Sequence, residues 1–391
     1  MGLKVAMVAG EPSGDLLASR IIDGIQQIQP EVHFTGIGGP NMRSRGMQIQ
    51  HPMDKLSVFG YADALKQLPS LIRTYTSLKN NLIAHKPDVF VGVDAPDFNL
   101  RLEQKLREKG VPTVHFVGPS IWAWRYERIH AIKKAVSHML VLFPFEVDIY
   151  RKEGIPVTFV GHPLASQIPV KPDMQAARQR LGLSPDCRIL AILPGSRASE
   201  IKLLAPRFLQ TAQLLLKHDP MLQFIVPVVN QKRQQDFDEI YSSIPVKNLK
   251  TFSATDTGRP IAWDVMEACD AALVASGTAS LETALFKKPM VISYVISPLM
   301  KKLMEWKSGQ LKPYVPWVGL PNILLSEFAV PEILQDDATP ENLAAACINA
   351  MENTAYIQEV KQKFLFLHET LRQDTARLAA QAILRAANSP A

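Results

Sequence analysis

Short, unbroken apolar segments alternate with longer amphipathic stretches along the first half of the chain. The strand-sized segments are residues 4–9, 33–37, 89–93, 113–117, 138–142 and 158–160. Strands that are apolar throughout and separated by helix-sized segments are typical of a parallel sheet covered on both faces. The pattern therefore predicts a doubly wound, Rossmann-like α/β domain.

The second half of the chain repeats this pattern after a break. Residues 163–172 are proline-rich and lose the periodicity, which indicates a domain boundary. Further apolar runs, each flanked by a helical pattern, follow at residues 188–193, 223–229, 271–275 and 290–294. We therefore expect two similar α/β domains in tandem that face each other across a cleft.

The expected sections are an N-terminal domain over residues 1–168, a second domain over residues 169–350 and a helical tail over residues 351–391. The tail ends in an alanine-, leucine- and arginine-rich run without strand patterns. We expect it to pack across a domain surface or, in a homodimer, a subunit surface. In open α/β sheets, ligands bind beyond the carboxyl ends of the strands, so residues that follow each strand are the first candidates for chemistry.

Composition narrows the class of protein. Hydrophobic residues make up 47% and charged residues 20% of the 391 positions, which argues against disorder and coiled coils. A net charge of +6 suits anionic ligands, an anionic membrane surface or nucleic acid equally well. Cys187, Cys269 and Cys347 lie far apart, so neither a disulfide framework nor a structural metal is indicated. No apolar run reaches the ~18 residues of a membrane-spanning helix, and we expect a cytoplasmic protein.

The first strand runs into GEPSGD at residues 10–15, a tight turn that opens a helix. Free amides and the helix dipole at such a turn suit an anion or a sugar, which makes Glu11, Ser13 and Gly14 candidate binding residues. The loop lacks the lysine of a Walker motif. The alternative is a plain strand-to-helix turn with Ser13 or Asp15 as the helix N-cap.

Asp94 directly follows the strand of residues 89–93, in the sequence VGVDAPDFN. A partly buried carboxylate at this edge could accept a proton from an attacking hydroxyl, so Asp94 is a candidate general base. The alternative is that Asp94 or Asp97 caps the next helix or binds a loop amide. The spacing leaves both interpretations open.

The sequence PSIWAWR follows the next strand and carries Ser120, Trp122 and Arg125. Aromatic faces suit sugars or acyl chains, and arginine suits a phosphate. Equally, Trp122 and Trp124 could be core or interdomain packing residues. Both interpretations carry equal weight.

In the second domain, LPGSR at residues 193–197 places a small-residue loop before a helix. Gly195 lets a phosphate approach the backbone, Ser196 can donate a hydrogen bond and Arg197 adds a fixed charge. The alternative for the arginine is a salt bridge to Glu200.

SGTASLE at residues 276–282 forms a second turn of this kind. Ser276, Gly277 and Thr278 would hold phosphates, while Glu282 could accept both hydroxyls of a ribose. The alternative is a glutamate favoured by the positive end of the helix. Two such loops in one domain indicate a nucleotide site.

One Asp-x-Asp pair, Asp236 and Asp238, lies in the charged helical stretch of residues 231–240. A solvated helix face explains it better than a metal site does. We therefore predict no metal and no cofactor.

Taken together and in this order, GEPSGD, VGVDAPDFN, PSIWAWR, LPGSR and SGTASLE closely resemble the motifs of the lipid-A-disaccharide synthase family. Leu320-Pro321-Asn322 adds a sixth match, and the resemblance spans essentially the whole chain. It implies an inverting GT-B glycosyltransferase of a Gram-negative bacterium. Such an enzyme transfers 2,3-diacylglucosamine from UDP-2,3-diacylglucosamine to the 6-hydroxyl of 2,3-diacylglucosamine 1-phosphate, which forms the β-1,6 lipid A disaccharide 1-phosphate and UDP.

The resemblance also implies roles for individual residues. The second domain would bind UDP through Gly195, Ser196, Arg197, Ser276, Gly277, Thr278 and Glu282. The first domain would hold the acceptor, with Asp94 as the catalytic base. The substrate-binding residues would be Glu11, Ser13, Gly14, Ser120, Trp122, Arg125 and Asn322.

Acylated substrates imply that the protein meets the inner-membrane surface without spanning the bilayer. Within residues 65–83, apolar positions at helical spacing lie among basic ones: Leu65, Leu68, Leu71 and Ile72 beside Lys66, Arg73 and Lys79. A second basic and apolar stretch, residues 299–307, could dock beside it. The alternative is that either helix buries its apolar stripe in the core.

Two other classes remain open. A UDP-sugar 2-epimerase has the same two-domain architecture and the same UDP loops, but it needs no surface for a diacylated acceptor. A non-catalytic nucleotide-sugar-binding module is the third class, and the carboxylate of Asp94 argues against it. The expected partners are the two lipid substrates and inner-membrane phospholipids, not nucleic acid.

Overall fold

The computed structural model describes residues 2–56, 61–253, 258–297 and 314–388, and for residues 61–67 it describes the backbone alone. The chain divides into two compact units. The first unit consists of Met1–Pro163 together with Leu371–Ala391, and the second unit is Leu164–Thr370. Among the described residues, no helix is both long and apolar enough to cross a membrane.

The first unit is built on a seven-stranded sheet in the order β3-β2-β1-β4-β5-β6-β7. Its strands are β1 (Leu3–Ala9), β2 (Val32–Gly38), β3 (Gln48–Pro52), β4 (Val89–Val93), β5 (Thr113–Phe116), β6 (His138–Val141) and β7 (Val157–Phe159). Its helices up to the unit boundary are α1 (Pro12–Ile28), α2 (Pro40–Ser44), α3 (Tyr61–His85), α4 (Pro96–Arg107), α5 (Ile129–Ala135) and α6 (Glu146–Lys152).

The second unit is built on a six-stranded sheet in the order β10-β9-β8-β11-β12-β13. The boundary helix is α7 (Pro163–Gln167), and the strands are β8 (Ile189–Leu193), β9 (Gln223–Val228), β10 (Leu249–Ser253), β11 (Ala271–Ala275), β12 (Met290–Tyr294) and β13 (Glu332–Leu334). The helices are α8 (Met174–Arg180), α9 (Ala198–His218), α10 (Gln231–Ser243), α11 (Ile261–Ala268), α12 (Thr278–Leu285), α13 (Leu320–Leu325), α14 (Pro340–Glu352) and α15 (Thr354–Leu371).

Every strand pairing in the described residues is parallel. The predicted α/β class and the pair of doubly wound domains are thereby confirmed. The pattern missed β3, β10 and β13. All three are edge strands with few buried residues, so they lack the unbroken apolar runs that mark a central strand.

The predicted tail of residues 351–391 is divided between the two units. Its first part contains α15, which lies in the second unit up to Thr370, whereas α16 (Thr375–Ala387) packs on the first-unit core. Gly24 of α1 permits this, because a Cβ there would lie 2.5 Å from the carbonyl oxygen of Ala376. The chain passes between the units at 163/164, five residues before the expected boundary at 168/169. Apolar periodicity marks a buried helix face but does not say which core buries it.

Candidate functional site

The loops after β8 and β11 lie together at the carboxyl edge of the second sheet. These strands are neighbours although they are separated in sequence, so they form the switch point where open α/β sheets bind ligands. A pocket of about 340 Å³ opens there. Its lining includes all seven residues that the sequence assigns to UDP: Gly195, Ser196, Arg197, Ser276, Gly277, Thr278 and Glu282.

The loop after β8 is shaped around a carboxylate. The amides of Ser196 and Arg197 donate to Oε2 of Glu200 at 3.0 and 3.1 Å, and the Arg197 guanidinium contacts Oε1 at 3.1 Å. The expected alternative, an Arg197–Glu200 salt bridge, is therefore present. Gly195 has φ +109°, and a Cβ there would lie 2.5 Å from Oε2, so the turn requires glycine. The Arg197 side chain stays 77% exposed and faces solvent at the pocket.

The loop after β11 ends in an uncapped helix. Gly277 is the N-cap of α12 with φ +141°, and no side chain caps this helix. Gly277 and Thr278 are exposed, so their amides stand at the positive end of the helix in contact with the pocket. Ser276 is held in place because its Oγ donates to the carbonyl of Val318 at 3.2 Å.

Glu282 lies on α12 at the pocket wall. Its burial raises the pKa of the carboxyl, and a hydrogen bond from the indole Nε1 of Trp263 to Oε1, 3.0 Å long, lowers it again. Sequence reasoning missed Trp263. The sequence spacing of Trp263 and Glu282 does not predict this contact, because the two residues meet only when α11 and α12 pack together.

The opposite part of the pocket is apolar. Pro227 and Val228 at the end of β9, Val229 after it, and Ile261 and Met266 of α11 line it. An apolar wall beside a polar edge with exposed amides suits a nucleobase next to its phosphates. Sequence reasoning did not identify this wall, because its residues are ordinary apolar ones.

Asp94 stands at the carboxyl end of β4 in a strained turn. Asp94 and Ala95 have φ values of +54° and +44°, which L side chains rarely adopt. Oδ1 of Asp94 accepts the Ala95 amide at 2.8 Å, and Asn99 donates to the Asp94 carbonyl at 2.7 Å. The loop-amide alternative is therefore present in the structure. Strain of this kind costs about 1–3 kcal/mol per residue and is concentrated at functional sites.

The GEPSGD loop begins α1, but its N-cap is Glu11, not Ser13 or Asp15. Glu11 and Ser13 are exposed at the sheet edge, and Gly14 packs against β1 and β4. Asp15 is fully buried, and its carboxylate accepts from the amides of Gly39, Asn41 and Met42 and from the Asn41 side chain. Asp15 therefore fixes the turn between β2 and α2, and only the exposed Glu11 and Ser13 of this loop remain available for a substrate.

The PSIWAWR segment combines exposed and packed residues. Ser120 and Arg125 are exposed, and Arg125 lies 3.6 Å from Glu127. Trp122 packs edge-to-face on Phe145, with 5.3 Å between ring centroids. The alternative interpretation, that Trp122 is a packing residue, therefore holds for the part of the ring that contacts Phe145. Trp122 is only half-buried, so the rest of its side chain is exposed.

A buried carboxyl lies behind Trp122. Burial raises the pKa of Glu146 to about 7, although the amides of Phe143 and Leu142 and the Trp122 side chain oppose that rise. The Phe143 amide donates to Oε2 of Glu146 at 3.1 Å. Glu146 therefore titrates near neutral pH, and its carboxyl lies beside the segment that carries Trp122.

Asn322 does not meet the expectation of a substrate contact. It is fully buried in α13: Oδ1 accepts the Val330 amide at 3.0 Å, and Nδ2 donates to the Val330 carbonyl and to Glu332, both at 2.8 Å. Glu332 also accepts the amides of Val318 and Gly319. Because its amide is fully used, Asn322 holds the loop that supports Ser276 instead of reaching a ligand.

The Asp-x-Asp pair lies on α10, as the helical pattern predicts. Asp236 pairs with Arg233 at 2.8 Å, and Asp238 accepts from Gln234 at 2.7 Å. Within the described ranges, no group of three or more histidine, cysteine, aspartate or glutamate side chains is arranged to hold a metal ion.

The candidate membrane residues lie on α3. Leu68 and Ile72 are 46% and 55% exposed, and Leu71 is partly buried. The side chain of Leu65 lies outside the described residues, as does the whole of the second stretch, residues 299–307.

Comparison with known proteins gives the family and the fold. A family model described as lipid-A-disaccharide synthetase matches residues 5–384. The chain is 61% identical over 393 residues to a lipid-A-disaccharide synthase of Bordetella pertussis, with 100% of both chains covered. It is 48% identical to one of Aromatoleum aromaticum, covering 98% of this chain and 96% of the relative.

Solved structures resemble the chain at much lower identity. A glycosyltransferase from Rickettsia africae has a TM-score of 0.59 at 8% identity, covering 99% of this chain and 98% of the other. A UDP-GlcNAc 2-epimerase from Neisseria meningitidis, bound to UDP-GlcNAc, also has a TM-score of 0.59, at 11% identity and with 98% and 99% covered. Likenesses at this identity establish the two-domain GT-B fold and nothing finer.

Proposed function

Since this chain belongs to the lipid-A-disaccharide synthase family of glycosyltransferases, we propose that it joins the two lipid substrates expected above. UDP-2,3-diacylglucosamine would donate its sugar to the 6-hydroxyl of 2,3-diacylglucosamine 1-phosphate, with inversion and release of UDP. The observation that carries the proposal is the second-unit pocket, which combines the uncapped start of α12, the exposed Arg197 side chain, a carboxylate and an apolar wall. The distant epimerase likeness concerns the fold alone.

We propose one orientation for UDP in this pocket. The uracil would lie on the apolar wall near Val229 and Ile261, and Glu282 would accept ribose hydroxyls. The diphosphate would lie over Gly277 and Thr278 at the helix N-terminus, within reach of Arg197. This order follows from matching each chemical part of UDP to the polar or apolar part of the pocket.

Departure of UDP needs positive charge near its diphosphate. In this proposal Arg197 and the α12 amides supply that charge, so the transfer proceeds without a metal ion. Glu200 contributes to this placement of positive charge. It holds the Ser196 and Arg197 amides and one side of the guanidinium, and it thereby keeps Arg197 at the pocket mouth.

The acceptor site is proposed for the first unit, at the carboxyl edge around Asp94. Asp94 would take the proton of the 6-hydroxyl as the oxygen attacks the anomeric carbon, and a single displacement inverts that centre. Glu11 and Ser13 are exposed at the start of α1, after β1, and Ser120 and Arg125 are exposed on the loop after β5. These four residues would contact the acceptor, together with the exposed part of Trp122.

We further propose that the protein binds the cytoplasmic surface of the inner membrane through α3. Leu68 and Ile72 are exposed on this helix, while Leu78 and Leu82 are buried in the core. The helix thus exposes one apolar pair to solvent and buries another in the core. An exposed apolar pair of this kind is typical of a helix that binds a membrane surface.

A homodimer is also proposed. Leu365 and Phe366 on α15 are 39% and 65% exposed, an apolar area that a second copy could cover.

Mass spectrometry of the products tests the proposed reaction. The purified chain is incubated with UDP-2,3-diacylglucosamine, with and without 2,3-diacylglucosamine 1-phosphate. We expect a disaccharide 1-phosphate only when both substrates are present. An epimerised UDP-sugar that forms without the acceptor would refute the transferase and support the epimerase. Light scattering of the same sample gives the oligomeric state.

A further inference from the structure

Trp263 lies directly behind the carboxylate that the proposed donor pocket offers to ribose. Its indole N–H donates to Oε1 of Glu282 at 3.0 Å. No donor in the described part of the chain is bonded to Oε2 of that carboxylate. We infer that Trp263 is a positioning residue for Glu282, which it fixes so that Oε2 is presented to the ribose hydroxyls of a UDP-linked donor. This inference rests on the proposed function.

The Trp263 ring is itself held on two sides. The Arg259 guanidinium lies 6.0 Å from the ring centroid, and Phe286 packs against the ring with 6.3 Å between centroids. Arg259 is fixed in turn by ion pairs with Asp264 and Glu267 on the same helix as Trp263. Only 9% of Trp263 is exposed. The direction of the N–H is therefore set before any ligand arrives.

A second pair of contacts fixes the helix that carries Trp263. Arg180 of α8 lies 2.8 Å from Asp264 and 2.7 Å from Glu267, the two carboxylates that Arg259 also uses. Two arginines, Arg180 and Arg259, thus surround two buried carboxylates, and Arg180 joins α8 to α11. Such a network restrains α11 against α8, so the tryptophan cannot readily turn away from Glu282.

The N–H also controls the ionisation of Glu282. Burial raises the pKa of this carboxyl, and the Trp263 hydrogen bond lowers it. Removal of the N–H leaves burial unopposed, so the carboxyl protonates at a higher pH. A protonated carboxyl accepts fewer hydrogen bonds than a carboxylate and cannot bind two hydroxyls equally well. Loss of Trp263 should therefore weaken ribose recognition most at low pH.

Calorimetric titration with UDP and with 2′-deoxy- and 3′-deoxy-UDP, between pH 5.5 and 8, tests the inference. The wild-type chain should prefer UDP, and Trp263→Phe should reduce that preference about tenfold at the acidic end, with partial recovery as the pH rises. Glu282→Gln should abolish the pH dependence. Trp124→Phe in the first unit is the matched control: it makes the same substitution away from the donor pocket, so the preference should stay.

A spectroscopic measurement covers the case in which Trp263→Phe does not fold. In the ¹⁵N–¹H spectrum of the wild type, an indole resonance that titrates with pH should become insensitive to pH in Glu282→Gln. The Trp122 indole, which is bonded to Glu146, should titrate in both proteins and is thereby distinguished from Trp263. If no indole signal follows Glu282, or if Trp263→Phe keeps the wild-type pH profile, the inference is overturned. Failure of the wild type to bind UDP at all would overturn the donor site as well.

Discussion

The side-chain amide of Asn99 donates a 2.7 Å hydrogen bond to the main-chain carbonyl of Asp94. Asn99 is fully buried, and the same nitrogen lies 3.4 Å from the carbonyls of Val93 and Val8. One amide thus ties together the ends of β1 and β4 and the left-handed turn at Asp94. The strained position of the proposed base depends on a residue that never meets the substrate.

We expect Asn99→Ala to lower stability by about 1–3 kcal/mol, because buried carbonyls lose their donor. It should also reduce kcat at least tenfold as the turn at Asp94 relaxes, without weakening UDP binding in the other unit. Asn342→Ala is a suitable control, since it removes a 2.9 Å bond to the carbonyl of Asp337 in the second unit. Equal effects of the two variants on kcat would argue against a link to Asp94.

Asp94→Asn should abolish turnover and leave UDP affinity nearly unchanged. The amide keeps the size of the side chain but cannot take a proton, and loss of a general base reduces rates by ~10²–10⁴-fold. Steady-state kinetics together with UDP titration measure the two quantities separately. Near-normal turnover by the folded variant would leave Asp94 with only its bond to the Ala95 amide.

Arg197→Ala should weaken UDP binding and reduce turnover strongly, whereas activity should survive excess EDTA. Both expectations follow if Arg197 and helix amides, and not a metal ion, offset the diphosphate charge. Arg377→Ala is the control, because Arg377 forms a comparable exposed pair with Asp374 at spacing i, i+3 in the first unit. Activity that is lost to EDTA and restored by magnesium would refute the metal-free transfer.

Glu146 should make stability depend on pH in a defined direction. Its pKa rises from 4.5 to about 7 on folding, because burial disfavours the carboxylate. Between these values the native state holds a proton that the unfolded state has lost, so this group's contribution falls as pH rises. Over that window the loss is on the order of 3 kcal/mol.

The contribution of His162 to stability changes with pH in the opposite direction to that of Glu146. Burial lowers its pKa from 6.5 to about 4, so its contribution to stability grows as the pH rises through that interval. In the wild type the two effects partly cancel.

Glu146→Gln removes the contribution of Glu146 alone. This variant should therefore gain stability relative to the wild type as the pH rises from 4.5 to 7, as measured by urea unfolding at several pH values. A constant difference between the two proteins would contradict this assignment.

The double variant Leu68→Ser, Ile72→Ser should bind anionic vesicles more weakly than the wild type while it keeps its thermal midpoint. Both side chains are about half exposed, so serine removes membrane-facing surface and little packing. Leu78→Ser, at a fully buried position of the same helix, should destabilise the fold instead. Unchanged vesicle binding by the double variant would remove α3 from the membrane proposal.

Much of the fold could be predicted from the sequence, and so could the two loops that line the second-unit pocket. The central strands are unbroken apolar runs, and their order in the chain with helices between them leads to two parallel sheets. The two donor loops could also be located, because Gly195 and Gly277 stand at strand ends where a positive φ is needed. These features are local, so they can be recognised from the sequence alone.

Tertiary structure alone decided which side chains meet across elements. Trp263 reaches Glu282, Asp15 holds the turn at Gly39, and α16 lies on the first-unit core, and none of these contacts has a sequence spacing of its own. The same is true of Asn322, whose motif resembles a binding residue but whose amide is used within its own loop. Hydrogen bonds between distant segments depend on how helices pack on a sheet, and packing is set by the shape of the whole core. The chain's sequence therefore determined where the sheets and loops lie, and packing determined which polar groups remain free for a ligand.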